Sequence, residues 1–218
     1  ATFSFHPVKT VAMGEGGALT TNDADLAWRL RRLRNIGMTR EVDEFQEHAQ
    51  ALDASGDANP WYYEMPELGL NYRASAIHCA LGLSQLGKLN QFVADRDYLM
   101  AHYHERLRTL APVVYPVSAV PGCRPSWHIC VVLIDFAQAG TDRATVMRAL
   151  ATKGIGTQVH YLPVNRQPYY RQRYGMTALA GADAYYDRIL TLPLHVDMTP
   201  DDVDYVLQCL TDVLGGGG

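Results

Sequence analysis

The sequence has 218 residues, 48% hydrophobic and 19% charged, which is typical of an ordinary soluble globular protein with one good-sized core or two small ones. A net charge of −4 offers no basic field for nucleic acid, no apolar run approaches the roughly 20 residues that span a bilayer, and no signal peptide is visible. We therefore expect no nucleic-acid or membrane partner. Because the cysteines and histidines show no disulfide or metal spacing, we also expect a cytoplasmic protein without a metal.

A single lysine near the start, Lys9, stands between apolar residues and a glycine-rich turn. An unpaired ammonium is costly to bury, so a lysine there is useful if its amine reacts, and Schiff-base formation with a carbonyl compound would remove the charge. The hydroxyl of Ser4 could donate to a phosphate oxygen of the same ligand. The alternative is a surface strand whose lysine reaches solvent. Around this lysine we predict strands at 3–5, 11–13 and 18–21, and a turn at 14–17.

A helix follows, because leucines recur at i, i+4 and i+7 from Leu26 to Leu33 after the N-cap pair Asn22-Asp23, and Gly37 is placed to end it. Residues 38–70 are the least regular part. A short helix with one apolar face is predicted at 42–52, and a connection of this length is usually functional or mobile.

From about residue 74 to 109 the pattern predicts one long helix, and we expect a domain boundary inside it, near residue 95. Gly82 and Gly87 each cost about 1 kcal/mol in a helix relative to alanine, which close approach of another helix or subunit would explain. The remainder alternates strands at 113–117, 128–135 and 156–161 with helices at 141–153, 182–189 and from Pro200 onward. This pattern indicates a small α/β lobe.

Four segments together point to a known family. They are Ser4-Phe-His-Pro-Val-Lys9-Thr with Gly14-Glu-Gly-Gly17, Leu70-Asn-Tyr-Arg73, Gly156-Thr-Gln-Val-His-Tyr161 with Pro163, and Leu192-Pro-Leu194. This set resembles the nucleotide-sugar aminotransferases, which belong to the fold type I enzymes that use pyridoxal 5'-phosphate. The sequence from Gly156 to Tyr161 is most similar to that of the family branch that serves the pseudaminic acid pathway.

The resemblance implies an α/β fold, the C-terminal part of a fold type I transferase. Residues 1–95 would end the large cofactor-binding domain, residues 96–214 would form the small C-terminal α/β domain, and 215–218 would be a flexible tail. In the family, the glycine-rich phosphate turn, the ring-stacking aromatic residue and the aspartate for the pyridinium nitrogen all precede the lysine. We therefore expect this chain to be catalytically incompetent alone.

The resemblance also implies residue roles. Lys9 would be the catalytic lysine that carries the cofactor, Ser4 would bind the cofactor phosphate, and Asn71 would do so from the second subunit of a homodimer. From the residues alone, Asn71 could instead cap the next helix. Arg73 could hold a phosphate or shape the turn, and His160 and Tyr161 could meet the sugar or its diphosphate. A lone histidine at a strand end is, however, more often satisfied structurally.

The expected reaction is transfer of an amino group from glutamate to the C4 ketone of a UDP-linked 4-keto-6-deoxy-N-acetylhexosamine. One alternative is the same chemistry on another 4-keto or 3-keto nucleotide sugar. Another is a non-catalytic dimerisation or sugar-binding module. Two positions depart from the family pattern and bear on the sugar: Arg34-Asn-Ile-Gly37 stands where Arg-Ser-His-Gly is usual, and Asn165 stands where an aromatic residue or histidine is common.

Overall fold

The computed structural model describes residues 1–215, which form two compact units that divide between Gly87 and Lys88. The first unit contains a two-stranded antiparallel sheet and three helices: β1 (Thr2–Ser4), β2 (Gly17–Leu19), α1 (Ala24–Leu33), α2 (His48–Ala51) and α3 (Ala76–Leu86). The expected α/β character is confirmed.

The strands β1 and β2 pair from Thr2 opposite Leu19 to Ser4 opposite Gly17. A Cβ atom at Gly17 would lie 2.7 Å from the carbonyl oxygen of Phe3, so only glycine allows this close pairing. The strand predicted at 11–13 is wrong. These residues fold back into the loop instead, where the Met13 N–H donates to the Phe5 carbonyl at 2.9 Å.

Helix α1 begins as predicted, because the Asp23 carboxylate accepts a hydrogen bond from the Leu26 N–H at 3.0 Å. After the helix the chain turns through Ile36 and Gly37, both with positive φ. The turn pairs with residues 64–72, which lie far along the sequence.

Residues 38–64 are organised around Glu64 rather than by a helix. Its carboxylate accepts hydrogen bonds from the N–H groups of Gln46 and Glu47, at 2.7 and 2.8 Å, and from the Tyr62 hydroxyl at 2.8 Å. The helix predicted at 42–52 is therefore interrupted, and leaves a 3₁₀ turn at Val42–Glu44 and the single turn of α2.

The long helix predicted for 74–109 is two helices. Helix α3 ends at Leu86, and α4 (Leu89–Leu107) begins after Gly87 and Lys88. Ser75 caps α3 by accepting from the His78 N–H at 3.2 Å. The position near residue 95 where we expected a domain boundary falls within α4, whereas the two compact units divide between Gly87 and Lys88.

The second unit holds an antiparallel sheet in the order β3-β4-β5, with helices before, between and after its strands. The elements are α4, β3 (Val114–Pro116), β4 (Cys130–Ile134), α5 (Arg143–Thr152), α6 (Pro168–Tyr174), α7 (Ala180–Arg188), β5 (Ile189–Leu192) and α8 (Pro200–Gly215). The strand predicted at 156–161 is wrong, because only Gln158 makes a bridge, to Thr191. Of the tail expected at 215–218, Gly215 ends α8, and the rest lies outside the described residues.

Burial differs sharply between the units. The hydrophobic core cluster, which includes Leu99, Tyr103, Leu150 and Leu210, lies in the second unit. In the first unit the buried apolar side chains among the described residues are Val11, Met13, Phe45 and Ala51. Across residues 1–215, no helix combines the length and apolarity that a membrane span requires.

Candidate functional site

Lys9 lies in the loop that joins β1 to β2, in the turn His6-Pro-Val-Lys9. Its N–H donates to the His6 carbonyl at 2.9 Å, which closes the turn, and its side chain is half-buried. Its amine makes no ion pair with any carboxylate of residues 1–215. The turn therefore presents a primary amine that is partly removed from water and that no carboxylate occupies.

Ser4 stands at the end of β1, at the start of the same loop. Its hydroxyl oxygen accepts a long hydrogen bond from the His6 N–H, at 3.5 Å, so the hydroxyl proton is available for another acceptor. The His6 ring also approaches the Glu15 carboxylate, with 3.8 Å between Nε2 and Oε1. The two residues expected to bind the cofactor phosphate and aldehyde thus lie at the start of this loop and within it.

Two close contacts hold this loop against α3. A Cβ atom at Gly14 would lie 3.1 Å from the ring of His78, and one at Gly82 would lie 3.2 Å from the Cβ of Met13. The closeness expected at Gly82 is therefore explained by the loop rather than by another helix. Sequence reasoning missed His78, and its helical position beside apolar residues gave no signal.

Asn71 and Arg73 lie on the segment that pairs with the turn after α1. The Ile36 N–H donates to the Leu70 carbonyl and the Tyr72 N–H to the Arg34 carbonyl, both at 2.9 Å, so that Asn71 lies opposite Asn35. The reading of Asn71 as a helix cap is wrong, because Ser75 fills that position.

Glycines make this pairing possible. A Cβ atom at Gly37 would lie 1.8 Å from the Glu67 carbonyl oxygen, and one at Gly69 would lie 2.0 Å from the Gly37 nitrogen. The two backbones touch directly, which places residues 71–73 rigidly against the end of α1.

The guanidinium of Arg73 is held by one neutral partner, since its Nη1 donates to the side-chain oxygen of Asn35. Sequence reasoning missed Asn35 as a partner. The one available signal was that Arg34-Asn-Ile-Gly37 departs from the family wording at this turn.

A groove of about 280 Å³ lies between α1 and residues 38–44. Its walls include Trp28, with the Arg32 guanidinium 4.0 Å from the ring centre. Arg32 is neutralised by Glu67 at 2.5 Å and approached by Glu44 at 3.8 Å. This arginine is therefore committed to structural ion pairs, unlike Arg73.

The hydrogen bonds to Glu64 that order residues 38–64 also shift the pKa values of Tyr62 and Glu64. Burial and the hydrogen bond to Glu64 raise the pKa of Tyr62 to about 12. Burial alone would raise the pKa of Glu64, but the hydrogen bonds from Gln46, Glu47 and Tyr62 lower it below its ordinary value. Glu64 is therefore an ionised structural clamp at neutral pH.

His160 and Tyr161 belong to the second unit, where a bridge between Gln158 and Thr191 positions them. His160 Nδ1 is 2.8 Å from the Thr191 hydroxyl, and the two rings of the pair meet edge to face at 4.5 Å. The Tyr161 side chain is largely exposed. His160 thus has a structural partner, Thr191, that sequence reasoning missed because it lies on another element.

Two side chains of the Lys9 loop have the chemistry needed to bind pyridoxal phosphate. A half-buried primary amine without an acidic partner suits the aldehyde, and the Ser4 hydroxyl suits the phosphate. We assign no residue of this chain to the ring nitrogen.

Comparison with known proteins gives a coherent result. A family model described as the DegT/DnrJ/EryC1/StrS aminotransferase family matches residues 1–211. The spore coat polysaccharide biosynthesis protein SpsC of Bacillus subtilis is 34% identical over 217 residues, which are 98% of this chain and 53% of SpsC. The chain therefore spans about half the length of this relative.

Solved structures agree on the fold. Helicobacter pylori PseC, an aminotransferase of pseudaminic acid biosynthesis, superposes with a TM-score of 0.84 at 25% identity, over 99% of this chain and 53% of PseC. DesI, solved in the presence of its TDP-sugar product, gives a TM-score of 0.79 at 28% identity, over 99% of this chain and 50% of DesI. The expected fold, α/β and the C-terminal part of a fold type I transferase, is confirmed, since the chain matches aminotransferase structures over about half of their lengths. On this match of fold and sequence, the chain belongs to the DegT/DnrJ/EryC1/StrS aminotransferase family.

Proposed function

We propose that this chain is the part of a pyridoxal phosphate-dependent nucleotide-sugar aminotransferase that carries the cofactor lysine and the small α/β domain. Members of the family are sugar aminotransferases that depend on this cofactor. The observation that carries the proposal is Lys9, a half-buried amine without a carboxylate partner, in a loop that packs against α3.

In this proposal each residue of the first unit has a distinct task. Lys9 Nζ would hold the cofactor aldehyde, and its amine would accept and donate the proton that moves during amino transfer. Pyridoxal phosphate supplies the electron sink when it is bound. The Ser4 hydroxyl donates to the phosphate, and Asn71 contributes to the phosphate of the partner subunit's cofactor, which makes a homodimer the functional form.

We propose as substrate a UDP-linked 4-keto-6-deoxy-N-acetylhexosamine, aminated at C4 with glutamate as the donor. PseC supports this choice through its fold and its role in pseudaminic acid biosynthesis. Arg73 would meet the diphosphate, and His160 and Tyr161 would meet the sugar or diphosphate. This chain differs from the usual family sequence at Arg34–Gly37 and at Asn165, and these differences bear on which sugar is bound.

A second candidate substrate is another keto-sugar nucleotide. SpsC, with the higher identity, serves spore coat polysaccharide synthesis, and DesI was solved with a TDP-sugar product. Comparing kcat/KM across UDP- and TDP-linked 4-keto and 3-keto sugars in the complete enzyme would decide between the candidates. Equal values for both nucleotides would overturn the UDP assignment.

The decisive experiment targets Lys9 in the complete enzyme that carries this chain, supplied with pyridoxal phosphate. Wild type should show a visible absorption band that borohydride abolishes, and mass spectrometry should then find the reduced pyridoxyl group on Lys9. Lys9→Ala should lose the band and amino transfer together. The matched control is Lys153→Ala, since Lys153 is partly exposed and pairs with Asp212 at 3.9 Å, far along the sequence from the loop.

The outcome separates an enzyme from a non-catalytic module. Retained amino transfer in Lys9→Ala would refute the catalytic role of the lysine. Absence of the band in the complete wild-type enzyme would instead favour a dimerisation or sugar-binding module. We further propose a cytoplasmic location and the domain limits of residues 1–95 and 96–214.

A further inference from the structure

Arg73 and Arg32 differ in whether their positive charge is compensated within the chain. Arg32 is bound by Glu67 and approached by Glu44, so its positive charge is compensated within the chain. No carboxylate of residues 1–215 forms an ion pair with Arg73, and its Nη1 donates to the neutral side-chain oxygen of Asn35. Arg73 therefore keeps its charge and four of its five N–H donors for another acceptor.

Asn35 is itself held in place by the backbone. Three hydrogen bonds join residues 33–36 to residues 70–72: Leu70 N–H to Leu33 at 2.7 Å, and Ile36 N–H to Leu70 and Tyr72 N–H to Arg34, both at 2.9 Å. The contact of Gly37 with Gly69 closes the same ladder. The Asn35 oxygen thus has a defined position relative to the Cα of Arg73.

A neutral acceptor has a specific advantage at this position. A carboxylate would orient the guanidinium equally well but would also cancel its charge, and a planar guanidinium binds phosphate best when it is oriented and charged. An apolar residue at position 35 would leave the Arg73 side chain unheld, and that side chain would then lose rotamer freedom whenever a ligand binds. Asparagine avoids both costs.

We propose that Asn35 is the positioning residue for Arg73, and that it orients the guanidinium toward the anionic diphosphate of the nucleotide sugar without neutralising it. This inference rests on the proposed function only in assigning Arg73 to the substrate. It concerns a contact between residues separated by 38 positions in the sequence.

The test measures UDP affinity by calorimetry in the complete enzyme carrying Lys9→Ala, so that binding is read without catalysis. Asn35→Leu keeps the approximate shape and removes the acceptor, and it should weaken UDP about tenfold, or about 1.4 kcal/mol. Asn35→Asp should also weaken UDP, because it keeps the acceptor but neutralises the cation. The matched control is Asn59→Leu, which removes a hydrogen bond from another half-buried asparagine to the Gln50 carbonyl and should leave UDP affinity unchanged.

A double-mutant cycle shows whether Asn35 acts through Arg73. Arg73→Leu should weaken UDP at least as much as Asn35→Leu, and the double variant should be no weaker than Arg73→Leu. Amide exchange at Ile36, Leu70 and Tyr72 should stay as in wild type in Asn35→Leu, which a merely structural role would not allow. With Lys9 restored, Asn35→Leu should raise KM for the nucleotide sugar and leave kcat nearly unchanged.

Several results would overturn the proposal. The proposal fails if the enzyme with Asn35 intact does not bind UDP, or if either Asn35→Leu or Asn35→Asp binds UDP as tightly as that enzyme does. It also fails if the effects of Asn35→Leu and Arg73→Leu are additive, or if the amides of Ile36, Leu70 and Tyr72 exchange faster in Asn35→Leu. Failure of the aminotransferase proposal looks different: UDP binding would still depend on Asn35 and Arg73, while the complete enzyme would transfer no amino group.

Discussion

Replacing Gly37 with alanine tests the backbone contact that places Asn71 and Arg73. The new Cβ would lie 1.8 Å from the Glu67 carbonyl oxygen and 3.0 Å from the Gly69 nitrogen, at a φ of +75°. A Cβ atom is not tolerated closer than about 3 Å to a backbone oxygen that it cannot hydrogen-bond, so residues 67–69 must move away. The matched control is Gly56→Ala, where φ is +87° and no atom lies within 4 Å of the added Cβ.

The two variants share one cost and differ in another. Both place alanine in the left-handed region, at about 1–2 kcal/mol. Only Gly37→Ala also breaks the ladder of Ile36, Leu70 and Tyr72, whose three hydrogen bonds contribute about 1 kcal/mol each. We therefore expect Gly37→Ala to lose about 3 kcal/mol more local stability than Gly56→Ala.

The measurement is native-state hydrogen exchange in the 218-residue chain. In Gly37→Ala, the amides of Ile36, Leu70 and Tyr72 should exchange about a hundredfold faster than in Gly56→Ala, since each 1.4 kcal/mol is about tenfold. Exchange rates that agree between the variants to within about threefold, or less than about 0.7 kcal/mol, would refute the direct backbone contact.

Three further predictions concern other parts of the chain. Because the folded-state pKa of Glu64 is below its ordinary value, the ionised carboxylate stabilises the fold at neutral pH, and this stabilisation is lost as pH falls through the lowered pKa. The Gln46 and Glu47 amides should therefore lose protection from hydrogen exchange in acid, and Glu64→Gln should remove this pH dependence. An acid profile that is the same in Glu64→Gln and in wild type would contradict the prediction. Leu150→Ala, in the fully buried core, should cost about 2–5 kcal/mol in urea unfolding, whereas Leu83→Ala, 73% exposed on α3, should cost less than about 0.5 kcal/mol. A thiol reagent should modify the exposed Cys79 and Cys123 in the native chain but spare Cys130, because burial raises its thiol pKa to about 12; early labelling of Cys130 by mass spectrometry would count against this burial.

Local signals in the sequence were sufficient for several elements. Asp23 caps α1 as predicted, accepting from the Leu26 N–H, and Pro200 begins α8. Asp142 likewise accepts from the Thr145 N–H at the start of α5, the helix predicted at 141–153. Helix caps depend on residues three apart, so a sequence contains the whole interaction. The family was also readable in the sequence, since the short runs around Lys9, Asn71 and His160 resemble it, and the family model matches residues 1–211.

Other elements depended on partners that the sequence does not place nearby. The helix expected at 42–52 failed because Glu64 takes the N–H groups of Gln46 and Glu47. The strand expected at 156–161 failed because only Gln158 finds a partner, on β5. A hydrogen bond to a distant residue can outweigh local helix or strand preference, which amounts to only some tenths of a kcal/mol per residue.

The sequence by itself determined the family and the helices that begin at a cap or a proline, and it predicted Lys9 as the reactive lysine. Only the tertiary structure decided that Asn35 holds Arg73, that Thr191 holds His160, and that Gly37 contacts the Glu67 carbonyl directly. The physical reason is separation along the chain. A cap acts across one helical turn, whereas these pairs lie about 30 to 40 residues apart and meet only after the backbone ladders that join them have formed.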